Sequence, residues 1–198
     1  METIKLRAKG TAPLLMHSNK SANPLSIYAK TMKPLTSKRN KTDADFAEIA
    51  RIEWEAGLYL EKGLVVMPGM NIDKCLLLGA RKTKDGKKYE MGVFLEEDFC
   101  HLSYKGKTIS VKKNGVFPND ELDKYYEDFK HQQMVKVGSS QVLRTRPIFH
   151  DWSFEFTLMY DENIIDERTI LTLAKNAGRM VGLCEIRPRL GRFDIEVV

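Results

Sequence analysis

The sequence predicts an α+β fold, and three stretches of the chain carry that prediction. Trp152–Tyr160 alternates apolar and polar side chains, which is the period of a strand with one buried face, and Thr3–Lys9 does the same. Phe193–Val197 alternates in the same way at the end of the chain. Between the last two strands, apolar residues recur at helical spacing from Ile170 to Val181, after Asp166 at the N-cap. A strand, a helix and a strand therefore follow one another near the C-terminus.

Two more helices are predicted in the first half of the chain. Asp43 is the N-cap of a helix that ends near Gly57, and the turn at Pro68-Gly69 leads into a helix that closes at Arg81. Short apolar runs bounded by turn residues predict strands elsewhere. These strands are Leu58–Leu60, Leu64–Met67, Tyr89–Leu95, Met134–Val137 and Gln141–Arg146.

The order of these elements fits a ferredoxin-like β-α-β-β-α-β core with a large β-rich insertion. We expect a single domain over residues 1–198. Residues 18–42 are rich in Ser, Asn, Pro, Thr and Lys with little periodicity, which predicts a mobile basic loop. The expected core comprises about residues 1–17, 58–95 and 135–198, and the insertion comprises about residues 96–134.

Composition excludes several classes of protein. The apolar share of 42% is that of a globular chain rather than a disordered one. No apolar run is long enough to cross a bilayer and the N-terminus lacks an apolar signal core, so we expect a cytoplasmic protein without a membrane partner. Three cysteines without a CxxC pair argue against a disulfide framework and a zinc finger. We expect no metal and no cofactor.

Positive charge is gathered in a few stretches of a chain whose net charge is +5. Lysine and arginine follow the phosphates of single-stranded nucleic acid, and arginine can contact phosphate through two parallel N–H bonds. Pro188 and Gly191 would hold the neighbouring arginines in a fixed bend. The alternative is that these arginines pair with Glu155, Glu185, Asp194 and Glu196 on a solvated sheet face. The candidate nucleic-acid-binding residues are Lys38, Arg39, Lys41, Arg81, Lys82, Arg144, Arg146, Arg187, Arg189 and Arg192.

Three motifs occur in order along the chain. An opening strand runs into Leu15-Met16-His17-Ser18, a proline–glycine turn and helix extend from Met67 to Arg81, and a loop from Gly182 to Phe193 joins the last helix to the last strand. Together they resemble the RAMP superfamily, the repeat-associated proteins that form the RNA-binding backbone of CRISPR effector complexes. The resemblance implies a ferredoxin-like fold and a homo-oligomer or filament. The whole chain also resembles a protein family common in bacteriophage genomes, which implies a viral origin.

We therefore expect a non-catalytic protein, encoded by a phage, that coats single-stranded RNA or DNA as an oligomer through a basic groove on its sheet. Two alternatives stay open. One is a metal-independent endoribonuclease, for which His17 and His150 are the candidate acid–base residues. The other is a phage protein that inhibits or mimics a host CRISPR subunit, with host CRISPR components as its partners. If the protein is viral, it would act in the host cytoplasm.

Overall fold

The structure is a computed structural model that describes residues 1–109 and 125–198. Where the sequence predicts one domain, the chain divides into two compact units. The first unit contains Met1–Leu14, the segment that begins at Leu60, and Phe149–Val198. The second contains Leu15–Tyr59 and the segment that ends at Ile148. Residues 110–124 of the predicted insertion lie outside the described residues.

Strands and helices are numbered along the described chain. The strands are β1 (Glu2–Gly10), β2 (Leu14–Leu15), β3 (Leu60–Glu61), β4 (Leu64–Pro68), β5 (Val93–Leu95), β6 (Phe99–His101), β7 (Ser103–Tyr104), β8 (Lys107–Thr108), β9 (Lys130–Val137), β10 (Ser140–Phe149), β11 (Trp152–Tyr160) and β12 (Phe193–Val197). The helices are α1 (Ile27–Ser37), α2 (Asp43–Gly57), α3 (Gly69–Lys82), α4 (Gly86–Gly92) and α5 (Glu167–Asn176). A 3₁₀ turn at Asn19–Ser21 precedes α1, and α5 continues as a π-helical turn at Ala177–Val181.

An antiparallel sheet organises the first unit, and the predicted α+β class is confirmed. β1 lies between β12 and β11, and the outer edge of β11 pairs with β5 at one end and with β7 at the other. Apolar side chains meet across the central pair, with Leu6 opposite Phe156 and Ala8 opposite Phe154. All four are buried, and each large apolar side chain removed from water contributes about 1.5–3 kcal/mol before entropy is counted.

The helices of the first unit pack together. α3 contacts α4, α5 and the π-helical turn, and α5 contacts β12. The Asp166 carboxylate caps α5 by accepting the Thr169 backbone N–H at 2.7 Å, as the sequence predicts. Gly79 of α3 is required at this contact because a Cβ there would lie 2.6 Å from the Cβ of Ala177. The C-terminal end of α3 is thereby held next to the chain that follows α5.

The strand predicted at Tyr89–Leu95 is wrong for its first part, because residues up to Gly92 belong to α4. Tyr89 is buried, and its hydroxyl donates to the Asp73 carboxylate of α3 at 2.8 Å. This contact places Tyr89 against α3 and leaves only Val93–Leu95 to pair with β11. An aromatic residue in a short apolar run is compatible with either element, and the tertiary contact decides between them.

The second unit contains α1, α2 and the β9–β10 hairpin, whose two strands pair from Ser140–Val137 to Pro147–Lys130. In its core, the indole N–H of Trp54 in α2 donates to the Phe129 carbonyl at 2.9 Å. A capping box begins α2: the Thr42 hydroxyl accepts the Asp45 N–H, and the Asp45 carboxylate accepts the Thr42 N–H. The hairpin was predicted from the sequence, and both strands extend beyond the predicted bounds.

The loop predicted over residues 18–42 is wrong in its centre, because α1 occupies Ile27–Ser37. The Ser26 hydroxyl accepts the Ala29 N–H at 3.1 Å and so begins the helix. Tyr28, Met32 and Leu35 share one half-buried face of α1, which packs on α2. Pro34 and the many polar residues hide this period in the sequence, and packing on α2 stabilises a helix that propensity alone would not.

No helix within residues 1–109 and 125–198 combines the length and the apolar character needed to cross a membrane.

We predict that Asp45 makes the second unit sensitive to acid. Its hydrogen bond from the Lys38 ammonium, aided by the Thr42 N–H, lowers the pKa of Asp45 from 3.8 to about 2. A carboxyl whose folded pKa is depressed stabilises the fold above its unfolded pKa, and this contribution is lost as the pH falls from 3.8 towards 2. Asp45→Asn should therefore be less stable than the wild type at pH 7, and the difference should shrink across that window.

The measurement is urea unfolding followed by circular dichroism at several pH values. Asp43→Asn, an exposed change in the same helical turn, is the matched control. A stability difference between wild type and Asp45→Asn that stays constant down to pH 2 would contradict the assignment.

Candidate nucleic-acid interface

The ten predicted cationic residues are divided between the two units. The first unit holds Arg81, Lys82, Arg187, Arg189 and Arg192. The second unit holds Lys38, Arg39, Lys41, Arg144 and Arg146.

In the second unit, several of these cations contribute to the fold. The Lys38 ammonium lies 2.5 Å from the Asp45 carboxylate, and the Lys41 ammonium donates to the Lys38 carbonyl at 2.8 Å. Arg144 donates to the Glu53 carboxylate, which also accepts the backbone N–H of Thr145 at 2.9 Å. These last contacts join α2 to β10. A cation that already forms an ion pair with a carboxylate of its own chain gains less free energy from a contact with a phosphate.

Residues 182–192, which we call the arginine loop, are closed by backbone hydrogen bonds. The Leu183 N–H donates to the Gly191 carbonyl at 2.9 Å, and the Leu190 N–H donates to the Ile186 carbonyl at 3.0 Å. The Gly191 N–H donates to the Pro13 carbonyl at 2.7 Å, which attaches the loop to the chain that follows β1. The loop is therefore held at both ends by obligatory backbone partners.

Gly191 is the residue that permits this closure. Its φ is +71°, in the left-handed region that favours glycine, and a Cβ there would overlap the Leu183 carbonyl. Gly182 also has a positive φ, of 74°, and its carbonyl accepts the buried Cys75 thiol at 3.3 Å. The two glycines singled out in the sequence thus mark the two ends of the arginine loop.

The guanidinium groups of the arginine loop point to solvent. Arg187, Arg189 and Arg192 are exposed, and no carboxylate in the described part of the chain forms an ion pair with any of them. Three of the carboxylates considered as their partners contact other cations instead. Those pairs are Asp194 with Arg179 at 3.2 Å, Glu155 with Lys5 at 2.7 Å and Glu196 with Arg7 at 3.9 Å.

The C-terminal end of α3 and the arginine loop line one cavity of about 730 Å³, which we call the α3–loop groove. Arg81 and Lys82 come from α3, and Arg187 comes from the loop. Arg81 lies 2.8 Å from Glu90, whereas Lys82 and Arg187 have no ion pair with a described carboxylate. Cations in the last turn of α3 also offset the negative end of the helix dipole. The groove thus unites three of the ten candidates, from two distant parts of the sequence.

Sequence reasoning missed the apolar lining of this groove. Met180 and Ile186 are exposed and line the cavity beside the cations. The sequence does not signal the exposure of Met180, because Met180 follows Ala177 at the i+3 spacing of a buried helical face, and only the π-helical turn at Ala177–Val181 alters that spacing. The position of Ile186 depends on the closed loop and has no signal in the sequence.

A second cavity, of about 850 Å³, lies over the polar face of the sheet in the first unit. Lys5 and Arg7 contact Glu155 there, at 2.7 and 2.5 Å, and both cations lower the pKa of Glu155. Glu196 and Asp151 line the same cavity. Lys5 and Arg7 on this face are therefore held by carboxylates, whereas Lys82 and Arg187 at the α3–loop groove have no ion pair with a described carboxylate.

A third cavity, of about 630 Å³, is acidic, whereas the α3–loop groove is basic. Asp73, Glu90, Glu97 and Asp98 line it, and its described lining includes no lysine or arginine. A polyanion would be repelled from this groove.

The two candidate acid–base histidines belong to different units. His17 is in the second unit, where its backbone carbonyl accepts the Tyr59 hydroxyl at 3.1 Å. His150 is in the first unit and is exposed. Neither lines the α3–loop groove.

We predict that Gly191→Ala destabilises the first unit far more than Gly106→Ala does. Both glycines have a positive φ, which costs an alanine about 1–2 kcal/mol. In Gly191→Ala the new Cβ would also overlap backbone atoms, whereas no described atom lies within 4 Å of a Cβ at Gly106. Urea unfolding should give a free energy of unfolding at least about 2 kcal/mol lower for Gly191→Ala than for Gly106→Ala. Equal losses in the two variants would disprove the closed loop.

Comparison of the chain with protein-family models and with curated proteins found no match. The function is therefore inferred from the geometry and charge of the site and from the motifs in the sequence.

Proposed function

We propose that this protein binds single-stranded nucleic acid, RNA or DNA, through the α3–loop groove. The observation that carries the proposal is the convergence of Lys82 and Arg187 on one cavity without an ion pair to a described carboxylate. Such cations release counterions when they bind phosphates, which is the main source of sequence-independent affinity for nucleic acid. Arg189 and Arg192, exposed on the same loop, would extend the positive surface along a bound strand.

We further propose that the first unit has a ferredoxin-like core of the kind found in the RAMP superfamily. Its support is the antiparallel strand order β12–β1–β11–β5, with α3 and α4 between β1 and β5 and with α5 between β11 and β12. This is the order of a β-α-β-β-α-β sheet in which the last strand lies beside the first. Residues 60–68 and 96–109 and the second unit would then be additions to that core.

Two of the three motifs that resemble the RAMP superfamily line the α3–loop groove. The motif from Met67 to Arg81 contributes Leu78 and Arg81, and the motif from Gly182 to Phe193 contributes Arg187. Arg187 thus belongs both to a motif behind the resemblance and to the groove cations without a described ion pair, which supports nucleic-acid binding at this surface. Copies of the chain would bind side by side along one strand, as the resemblance implies.

The test is a filter-binding titration of labelled single-stranded RNA and DNA at several salt concentrations. The variant Lys82→Gln/Arg187→Gln removes two charges from the groove. Lys62→Gln/Arg168→Gln removes two charges from exposed positions of the first unit outside the groove. For wild type, we expect the logarithm of the association constant to fall linearly with the logarithm of salt concentration.

The groove variant should bind about 10-fold more weakly, and its salt slope should be smaller by about 1.4, because two phosphate contacts are lost. The control variant should keep the wild-type slope within error. Binding that ignores salt, or equal losses in the two variants, would refute the proposal. Shortened RNA recovered in the presence of EDTA would favour the endoribonuclease alternative.

A further inference from the structure

The α3–loop groove contains a feature that phosphate binding does not need. Met180 is 46% exposed and Ile186 is 41% exposed, and both line the cavity next to Lys82 and Arg187. Pro188 adds a third apolar side chain. A phosphate gains no binding energy from such apolar neighbours. A ligand with an apolar surface between charged groups gains binding energy both from the apolar side chains and from the cations.

Ile186 is held in this position at a conformational cost. Its φ is +56°, in the left-handed region, which is strongly unfavourable for a β-branched residue. The closed loop enforces this conformation, since the Ile186 carbonyl accepts the Leu190 N–H at 3.0 Å. The strained residue is thereby directed to the solvent-exposed wall of a cationic cavity instead of the core.

Single-stranded nucleic acid has the matching chemistry. Its bases present flat apolar faces, and its phosphates recur on either side of each base. A cavity of about 730 Å³ is large enough for one nucleotide unit, since small-molecule pockets span about 300–1,000 Å³. Duplex nucleic acid keeps its bases stacked and cannot offer a free base face to such a wall.

We propose that the α3–loop groove takes one unstacked nucleobase against Met180 and Ile186, while Lys82 and Arg187 hold the phosphates that flank it. This inference rests on the proposed function and specifies how one base of the bound strand contacts the groove. Every base has a face of this kind, so the contact tolerates any sequence and selects single strands over duplexes.

The test compares two polymers of equal length and charge: oligouridylate, and a ribose-phosphate oligomer that lacks bases. Met180→Gln and Ile186→Asn replace the apolar wall with polar groups. Asparagine tolerates a positive φ better than isoleucine, so Ile186→Asn should keep or raise the stability of the fold. Met91→Gln, an equally polar change at an exposed methionine outside the groove, is the control.

Wild type should bind oligouridylate about 10-fold more tightly than the abasic oligomer, because covering one base face with apolar side chains removes apolar surface from water and contributes about that factor. Each groove variant should lose most of this preference and bind the abasic oligomer as wild type does. Met91→Gln should keep the preference. In a second readout, an oligonucleotide with a single 2-aminopurine should fluoresce more strongly when bound to wild type than to Ile186→Asn, because unstacking relieves quenching.

The outcomes separate the two proposals. Wild type that binds neither polymer overturns both this inference and the proposed function. Wild type that binds both polymers equally, with salt-dependent affinity, overturns this inference alone. Equal losses for both polymers in Ile186→Asn also overturn it, since the variant would then act through the phosphates.

Discussion

The pairing of β1 with β11 is the constraint on which the first unit depends. Its register runs from Glu2 opposite Tyr160 to Lys9 opposite Ser153. A slip of one residue would exchange the buried and exposed faces of both strands, because side chains alternate with a period of two. The same pairing places the end of β1 beside the start of β11. The two strands are so close there that a Cβ at Gly10 would overlap the Trp152 ring.

The arginine loop depends on this pairing through a short chain of hydrogen bonds. The buried Trp152 indole donates to the Ala12 carbonyl at 2.8 Å and so positions the residues that follow β1. From there, Thr11 and Ala12 donate to the Arg192 carbonyl, and the Pro13 carbonyl accepts the Gly191 N–H. Core packing in the sheet is thereby coupled to the geometry of the loop. The groove residues are presented by a rigid scaffold rather than by a free segment.

Net charge alone says little about where this protein would meet a polyanion. Lys5 and Arg7 are balanced by carboxylates on the sheet face, Lys38 stabilises the start of α2, and Arg144 joins α2 to β10. Lys82 and Arg187, by contrast, have no ion pair with a described carboxylate and line one cavity where α3 and the arginine loop meet. The α3–loop groove combines these cations with the exposed apolar side chains of Met180 and Ile186, and the proposed binding of a single strand rests on that combination.

The sequence by itself determined the α+β class, the strands β1, β11 and β12, the cap of α5, and the two glycines that bound the arginine loop. The cap of α2 was predicted one residue too late, at Asp43 instead of Thr42. These features are local: alternation, capping and positive φ depend on a few neighbouring residues. Only the tertiary structure decided that Ile27–Ser37 is helical, that Tyr89 belongs to α4, which arginines stay unpaired, and that Ile186 reaches the groove. Each of those depends on a partner distant in the chain, such as α2 for α1, Asp73 for Tyr89 and Glu53 for Arg144, and no local pattern records such a partner.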